Sequence, residues 1–392
     1  MSYKNHTLAR TAFVAAFVMA FAGLTQVAKA ATSSTPFLPN PVVNVSTVPP
    51  NGDVNPYGVA FVPPGFPTGG ALNVNDVLVS NFNNSQNLQG TGTTIVKIRN
   101  GAQSLFFQGT APLGLSTALQ VLKKGYVLVG NFPSVDGTCG TASDGSLLVI
   151  NSSGQLVSNI INNQMIVGPW DSTVYDQGPT AKLFISNGLN GTISRLNLNV
   201  SSAGVTVQST ATIASGYMFQ CDPATFVDAP TGLVYEPTTD TLYVASTLDN
   251  AVFAISHAGT ASSDQGRGTM IYEDAKHLHG ALAMTLAPNG HLLVSNNDVI
   301  NSDPNQPSEI VEFTTSGQFV KELSVDPNQG GSFGLSVASN TTNAQFAAVD
   351  DNQSSISIWS LPLTAPASSL CDSLNAITDL GEACDSQSRT GN

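Results

Sequence analysis

Apolar and polar positions alternate along most of this chain with the two-residue period of a β-strand, and the alternation comes in repeated blocks. The clearest block is His279 to Asn296, HGALAMTLAPNGHLLVSN: an apolar strand, a Pro-Asn-Gly turn, a second apolar strand and a polar exit at Ser295-Asn296. Aligned on the second strand, the block recurs as Val77–Asn81, Val127–Asn131, Leu183–Asn187, Leu242–Ser246, Leu292–Asn296 and Phe346–Asp350, at intervals of 50 to 59 residues. A repeat of that length, rich in β-branched residues and punctuated by Gly, Asn and Pro turns, predicts one four-stranded blade per unit. Six units predict an all-β, six-bladed propeller.

Each unit can be filled in from the same pattern. Inner strands are expected at Gly58 to Val62, Leu115 to Val121, Ser172 to Tyr175, Gly232 to Tyr235, Ala281 to Leu286 and Gly334 to Ala338. Third strands alternate polar and apolar, as in Thr94–Ile98, and fourth strands follow, as in Gln103–Gln108. The sixth unit has no fourth strand before it meets Pro362 and Pro366, which have no N–H for a ladder. Residues 42–48, VVNVSTV, have no local partner, so they are expected to supply that strand and close the ring without a raw edge. The expected organisation is residues 1–30 as a signal peptide, 31–362 as the propeller and 363–392 as a C-terminal tail.

The x-Gly step before the inner strand, the Pro-Asn-Gly and Pro-Thr-Thr-Asp turns, and the second strand ending in Ser-Asn resemble the NHL-repeat propellers. They are similar also to the SMP-30/gluconolactonase-like relatives of those propellers, and the likeness covers roughly residues 40 to 362. It implies that the starts of the inner strands and the loops between second and third strands share one face, where ligands bind at the axial channel. Aligned on the six units, the residues at those starts are Tyr57, Leu113, Trp170, Thr231, His279 and Phe333. The ends of the second strands give an outer polar ring of Asn81, Asn131, Asn187, Ser246, Asn296 and Asp350. Such Asn residues also serve as turn formers. The ligand-binding set expected from this reasoning is Tyr57, Trp170, Asp171, His279, Phe333, Asn187, Asn296 and Asp350.

The resemblance also supplies a test for enzymatic activity. The SMP-30-like lactonases hold a divalent metal with a Glu, an Asn and an Asp near these starts, and none of the six residues here is a carboxylate. Asp171 is displaced by one residue, and Asp350 and Asp351 lie in another loop. The favoured function is therefore binding of a small molecule or a protein at the channel face. The alternatives are an SMP-30-like metal-dependent hydrolase or lactonase, a propeller lyase using a metal or His279, and a surface protein with no pocket chemistry. Catalytic residues and a metal set are not assigned. His277 and His279 would point the same way in an extended segment, but zinc needs three or four ligands, and His257 and His291 are expected on the opposite face. The loop 296–303, NNDVINSD, is rich in oxygen and lacks the Gly and Glu of an EF-hand, so a structural Ca²⁺ is the cofactor it could hold.

Charge and targeting narrow the setting. Lys4 and Arg10, the apolar run Thr11 to Leu24 and the Ala28-Lys29-Ala30 site make a secretory signal peptide, with cleavage expected after Ala30. The run is shorter than the roughly 20 residues a bilayer crossing needs, so no span is expected in the mature protein. The formal charge is −13, and cleavage makes it more negative by removing Lys4, Arg10 and Lys29. That balance argues against nucleic acid, whose phosphates bind to Lys and Arg. Cys139, Cys221, Cys371 and Cys384 are expected as two disulfides in a periplasmic or secreted monomer. Three connectivities are open, and the favoured one pairs Cys371 with Cys384 across a short loop and Cys139 with Cys221, whose loops are expected to reach the same face.

Overall fold

The computed structural model describes residues 43–363. The proposed signal peptide and the Cys371–Cys384 pairing lie outside them. Six antiparallel four-stranded sheets follow one another along the chain, each hydrogen-bonded in sequence order from an inner to an outer strand. Blades one to five span residues 54–108, 115–160, 169–214, 230–272 and 281–324. In blade six the strands Ser332–Ser339, Asn343–Asp350 and Ser355–Pro362 are joined by Val43–Ser46 as the outermost strand, with Val43 opposite Ile358 and Ser46 opposite Ser355. The ring is latched by its front end, as the unpartnered VVNVSTV segment predicts.

Burial grades outward as the periodicity predicts. The second strands Val77–Asn83, Tyr126–Asn131 and His291–Asn296 are buried at every position, whereas the outer strands Leu156–Ile160 and Phe319–Ser324 are largely exposed or half-buried. Alternate side chains of a strand point to opposite faces, so each sheet contributes to two neighbouring cores. Ala60, Leu78 and Ile95 of blade one pack against Leu115, Val127 and Leu148 of blade two. Val59, Val79 and Val96 pack instead against Ala347, Val349 and Ile356 of blade six. That last core completes the circle.

One device repeats in all six blades. The pairing of inner with second strand slips at the same level, between Pro56 and Val59, Leu115 and Leu119, Pro169 and Asp171, Pro230 and Leu233, Ala281 and Met284, and Ser332 and Leu335. A bulge takes backbone groups out of the ladder, and buried carbonyls need donors. Hydroxyls of the preceding blade provide them. Ser80 donates to the Ser116 carbonyl (2.8 Å), Ser116 to Pro169 (2.6 Å), Ser186 to Thr231 (2.7 Å) and Thr247 to Ala281 (2.8 Å). The approach is close: a Cβ on Gly58 would come within 2.6 Å of Ser80 Oγ and 2.9 Å of the Thr117 carbonyl, so the x-Gly step is a packing requirement there.

Candidate functional site

Each inner strand is paired on one side only, so its other edge faces the propeller axis. Midway along the axis, six aromatic rings from four blades and one connecting loop pack into a single cluster. Tyr57 stacks on Phe333 with centroids 4.0 Å apart and on Phe82 at 4.6 Å, and Trp170 meets Tyr57, Phe82 and Phe132 edge-on at 5.3–5.9 Å. Phe226 completes the cluster against Phe82, Phe132 and Trp170. Two cavities share no lining residue and fall on successive stretches of the same inner strands. One contains Tyr57 and Phe333 at its floor, and the other begins at Val59, Asp171 and Leu335.

The channel-face cavity has a volume of about 860 Å³ and is walled chiefly by amides and carboxylates, among them Asn55, Asn83, Asn87, Asn297, Asp298 and Asp351. Asn55 holds a left-handed backbone (φ 63°), which short polar side chains tolerate. Its amide nitrogen donates to the Asp351 carboxylate, and its oxygen accepts from Asn83 Nδ2 at 2.9 Å. Asn83 also donates to Asn87 Oδ1 at 2.8 Å. Burial, reinforced by the neighbouring Asp350 charge, pushes the Asp351 carboxyl up to about 8. Burial raises Asp350 to about 6 and lifts the Tyr57 phenol well above its ordinary value. Of these carboxyls, Asp351 favours the protonated, uncharged form near neutrality.

Blade five adds a second acid pair beside the cavity. Asp298 Oδ2 accepts from the Ser308 N–H (2.9 Å) and the Gly330 N–H (2.8 Å), yet burial raises its carboxyl. Burial and the charge of Asp298 push Glu309 up to about 7. Glu309 occupies the position that holds a hydroxyl in blades one to three: the Asn at the end of the second strand donates to Thr94, Ser146 and Thr192 there, and to Glu309 here.

The structure sorts the expected binding residues into different places. Tyr57 and Phe333 lie on the same rim, as the repeat alignment predicts, and floor the channel-face cavity. Trp170 is fully buried inside the aromatic cluster. Asp171 is on the far side of that cluster, because the bulge at Pro169–Asp171 turns it toward the opposite mouth. Leu113 leaves the axis altogether and packs between blades one and two. Asn187 and Asn296 use their amides on their own blades: Asn187 accepts from Val167 N and donates to Thr192 and Ser194, and Asn296 accepts from His279 N and donates to the His277 carbonyl. These are the turn-forming roles available to Asn. Asp350 is buried and accepts from Gln353 N at 3.1 Å.

The histidines do not form a common site. Residues 275–277 form a turn rather than an extended run, so His277 pairs with Asp274 and stacks on Phe319, while His279 is buried with Nδ1 against the Asn301 carbonyl. His291 is paired inside blade five with Glu312 at 2.6 Å. Among the described residues, no three His, Cys, Asp or Glu side chains are grouped to hold a metal ion. The acids of loop 296–303 do not converge as a calcium shell either. Asp298 binds backbone N–H groups and Asp303 caps Asn305.

Sequence reasoning missed Phe82, Phe132 and Phe226, half of the cluster. A signal existed for two of them, since Asn81-Phe82 and Asn131-Phe132 share one phase of the repeat. It also missed a hairpin, Gln220–Asp222 with Phe226–Asp228, whose Ala224 and Thr225 line the channel-face cavity. A Cys139–Cys221 disulfide ties this hairpin to the loop of blade two, the pairing expected from sequence.

No protein-family model matches the sequence, and a search of curated proteins finds no match. Solved structures do align with it. An oxidoreductase described as a glucose dehydrogenase from Thermus thermophilus has 12% identity and a TM-score of 0.47, covering 80% of this chain and 98% of that one. The calcium-binding protein regucalcin from Agrobacterium tumefaciens has 11% identity and a TM-score of 0.49, covering 84% and 97%. A structure described as a gluconolactonase has 13% identity and a TM-score of 0.41, covering 82% and 99%. The chain is a six-bladed β-propeller whose structural neighbours are regucalcin/SMP-30 and gluconolactonase-like propellers.

Proposed function

We propose that the protein is an exported binding module that takes a neutral, hydrogen-bonding small molecule, such as a saccharide, in its channel-face cavity. The observation that carries this reading is the composition of that cavity: an aromatic floor of Tyr57 and Phe333 under a wall of Asn55, Asn83, Asn87 and Asn297. Its size is within the range of roughly 300–1,000 Å³ usual for ligand sites, and amide side chains both donate to and accept from hydroxyls. Raised carboxyls such as Asp351 act there as neutral partners rather than as a charge that repels or demands a counterion. The Cys139–Cys221 disulfide supports an oxidising compartment, and the Ala28-Lys29-Ala30 site supports export. Among the described residues no helix is long and apolar enough to cross a membrane.

The rival is a metal-dependent hydrolase of the lactonase kind, acting through Asp350 and Asp351. Calorimetric titration with a panel of monosaccharides, on wild type and on Asn83→Ala, separates the two. Saturable binding that weakens about tenfold or more in the variant supports the module, an effect of the size expected when buried hydrogen bonds to a ligand are removed. Lactone hydrolysis abolished by a chelator, with a stoichiometric divalent metal in the purified protein, replaces the module with the hydrolase.

A further inference from the structure

The opposite mouth of the channel holds a second cavity, of about 430 Å³, that the reading above does not use. It is lined by the later halves of the six inner strands, and its chemistry is unlike that of the channel face. Aliphatic side chains are its commonest kind, among them Val59, Leu119, Leu233, Ala283 and Leu335. Into this lining the third blade inserts a carboxyl, Asp171, with Ser172 beside it and Thr117 contributed by blade two. All three are at least nine-tenths buried, at 6%, 4% and 5% exposure. The Ser172 and Thr117 hydroxyl oxygens have no hydrogen-bond partner.

Buried hydroxyls are nearly always satisfied, and an unsatisfied one costs about 1–3 kcal/mol. Two of them lining one cavity beside a carboxyl point to an occupant that hydrogen-bonds to them. The charge balance says which kind. Asp171 and Tyr235 are the only titratable side chains among the lining residues, and no Lys, Arg or His is there. The Tyr235 hydroxyl is already used, donating to Asp240 at 2.8 Å. The carboxyl of Asp171 accepts from the Ser172 N–H at 2.6 Å but has no cationic partner in the lining, and burial raises it well above the ordinary carboxylate range.

We propose that this cavity is a second binding site, for a small primary ammonium compound. The N–H donors of the ligand would go to the Asp171 carboxylate and to the Ser172 and Thr117 hydroxyls, and its short alkyl part would lie against the aliphatic wall. A compact cation supplies what the lining lacks, a positive charge with several donors. A neutral alcohol of the same shape would gain no ion pair. Ion-pair formation draws on the ionised form of Asp171, which burial disfavours, so binding is coupled to release of a proton from the carboxyl to buffer. The site is independent of the channel-face reading, since the two cavities share no lining residue.

The experiment is calorimetric titration with propylammonium chloride near neutral pH, in two buffers of different ionisation enthalpy, with 1-propanol as the neutral control. The expected result is saturable one-to-one binding whose heat depends on the buffer, absent for propanol. Asp171→Asn should weaken it by at least tenfold and abolish the buffer dependence, and Thr117→Val should weaken it severalfold. Asp351→Asn, at the other mouth, should leave it unchanged. In wild-type protein the side-chain carboxyl ¹³C resonance of Asp171 should move to its ionised position as the ammonium is added, a readout that needs no variant to fold. No saturation, equal binding of propanol, equal binding by Asp171→Asn, or a carboxyl resonance that does not move would each overturn the proposal and show a cavity filled by solvent only. None of these outcomes bears on saccharide binding at the other face.

Discussion

The two mouths of this channel are made from the same six inner strands, yet they differ in kind. The channel-face mouth is wide, walled by interlinked amides, and roofed by loops that sequence repetition does not govern. The opposite mouth is half its volume, richer in aliphatic side chains, and carries a single charge-bearing group besides a tyrosine. The difference arises where the chain departs from its repeat. Strand interiors alternate faithfully and give similar apolar walls in every blade, whereas the loops entering the inner strands at Asn55, Trp170 and His279 are all different. A fold repeated six times thus keeps chemistry out of its symmetric part and gathers it at the breaks in symmetry.

The aromatic cluster is what keeps the two mouths apart, so removing its centre should have the largest effect. Trp170 is fully buried among four rings. Trp170→Ala should cost about 3–5 kcal/mol in stability, the usual penalty for deleting a buried large aromatic, read from a denaturant midpoint. It should also join the two cavities, so that ligands at one mouth compete with ligands at the other. Retained independence of the two mouths in a folded variant would mean that the remaining five rings suffice as the partition.

The next largest effect should fall on one mouth only. The Cys139–Cys221 bond ties the hairpin carrying Ala224 and Thr225 to blade two, and Gln89 Nε2 donates to the Ala224 carbonyl at 3.2 Å. Replacing both cysteines by alanine should lower stability by about 2–4 kcal/mol. Saccharide affinity at the channel face should fall, while propylammonium binding at the opposite mouth should not change. Equal losses at both would show that the disulfide supports the ring as a whole rather than the roof of one cavity.

Much of this is legible in the sequence. The blade count and the closing strand follow from period and alternation, because those features reflect backbone pairing and burial that every blade shares. Cysteine parity alone leaves three connectivities open, and Cys139–Cys221 is favoured among them only by the expectation that both loops reach one face. The site is legible only in part. Tyr57 and Phe333 can be placed on one rim because they sit at equivalent points of the repeat. Asp171 cannot be placed, because a one-residue bulge decides which mouth it faces, and a bulge leaves no mark in hydrophobic periodicity. The Ser of the Ser-Asn exit reads in sequence as part of a turn. In blades one and three it instead bonds a carbonyl of the next blade, a partner 36 residues on for Ser80 and 45 for Ser186. Contacts of that range are set by how blades stack, which one unit of sequence does not encode.

The smallest of these effects bears on how burial shifts the ionisation of the channel-face acids. Glu309 ionises near 4.5 in an ordinary setting and at about 7 here, and Asp351 moves from 3.8 to about 8. In each case the folded protein holds a proton that the unfolded chain has released. Stability should therefore fall as pH rises from about 4 to about 8 and level off beyond, since stability declines with pH wherever the native state binds more protons. Glu309→Gln keeps the acceptor for Asn296 Nδ2, which lies 3.2 Å from Glu309 Oε2, and removes the ionisation. It should leave stability near pH 5 little changed and raise it near pH 8 by about 1 kcal/mol or more, the worth of one pKa unit. Thermal unfolding across that range measures both the slope and its loss. Asp171→Asn, at the other mouth, tests the same principle where no second acid contributes: a similar flattening there would assign the raised carboxyls to burial alone, and a much smaller one would make repulsion between neighbouring acids the distinguishing property of the channel face.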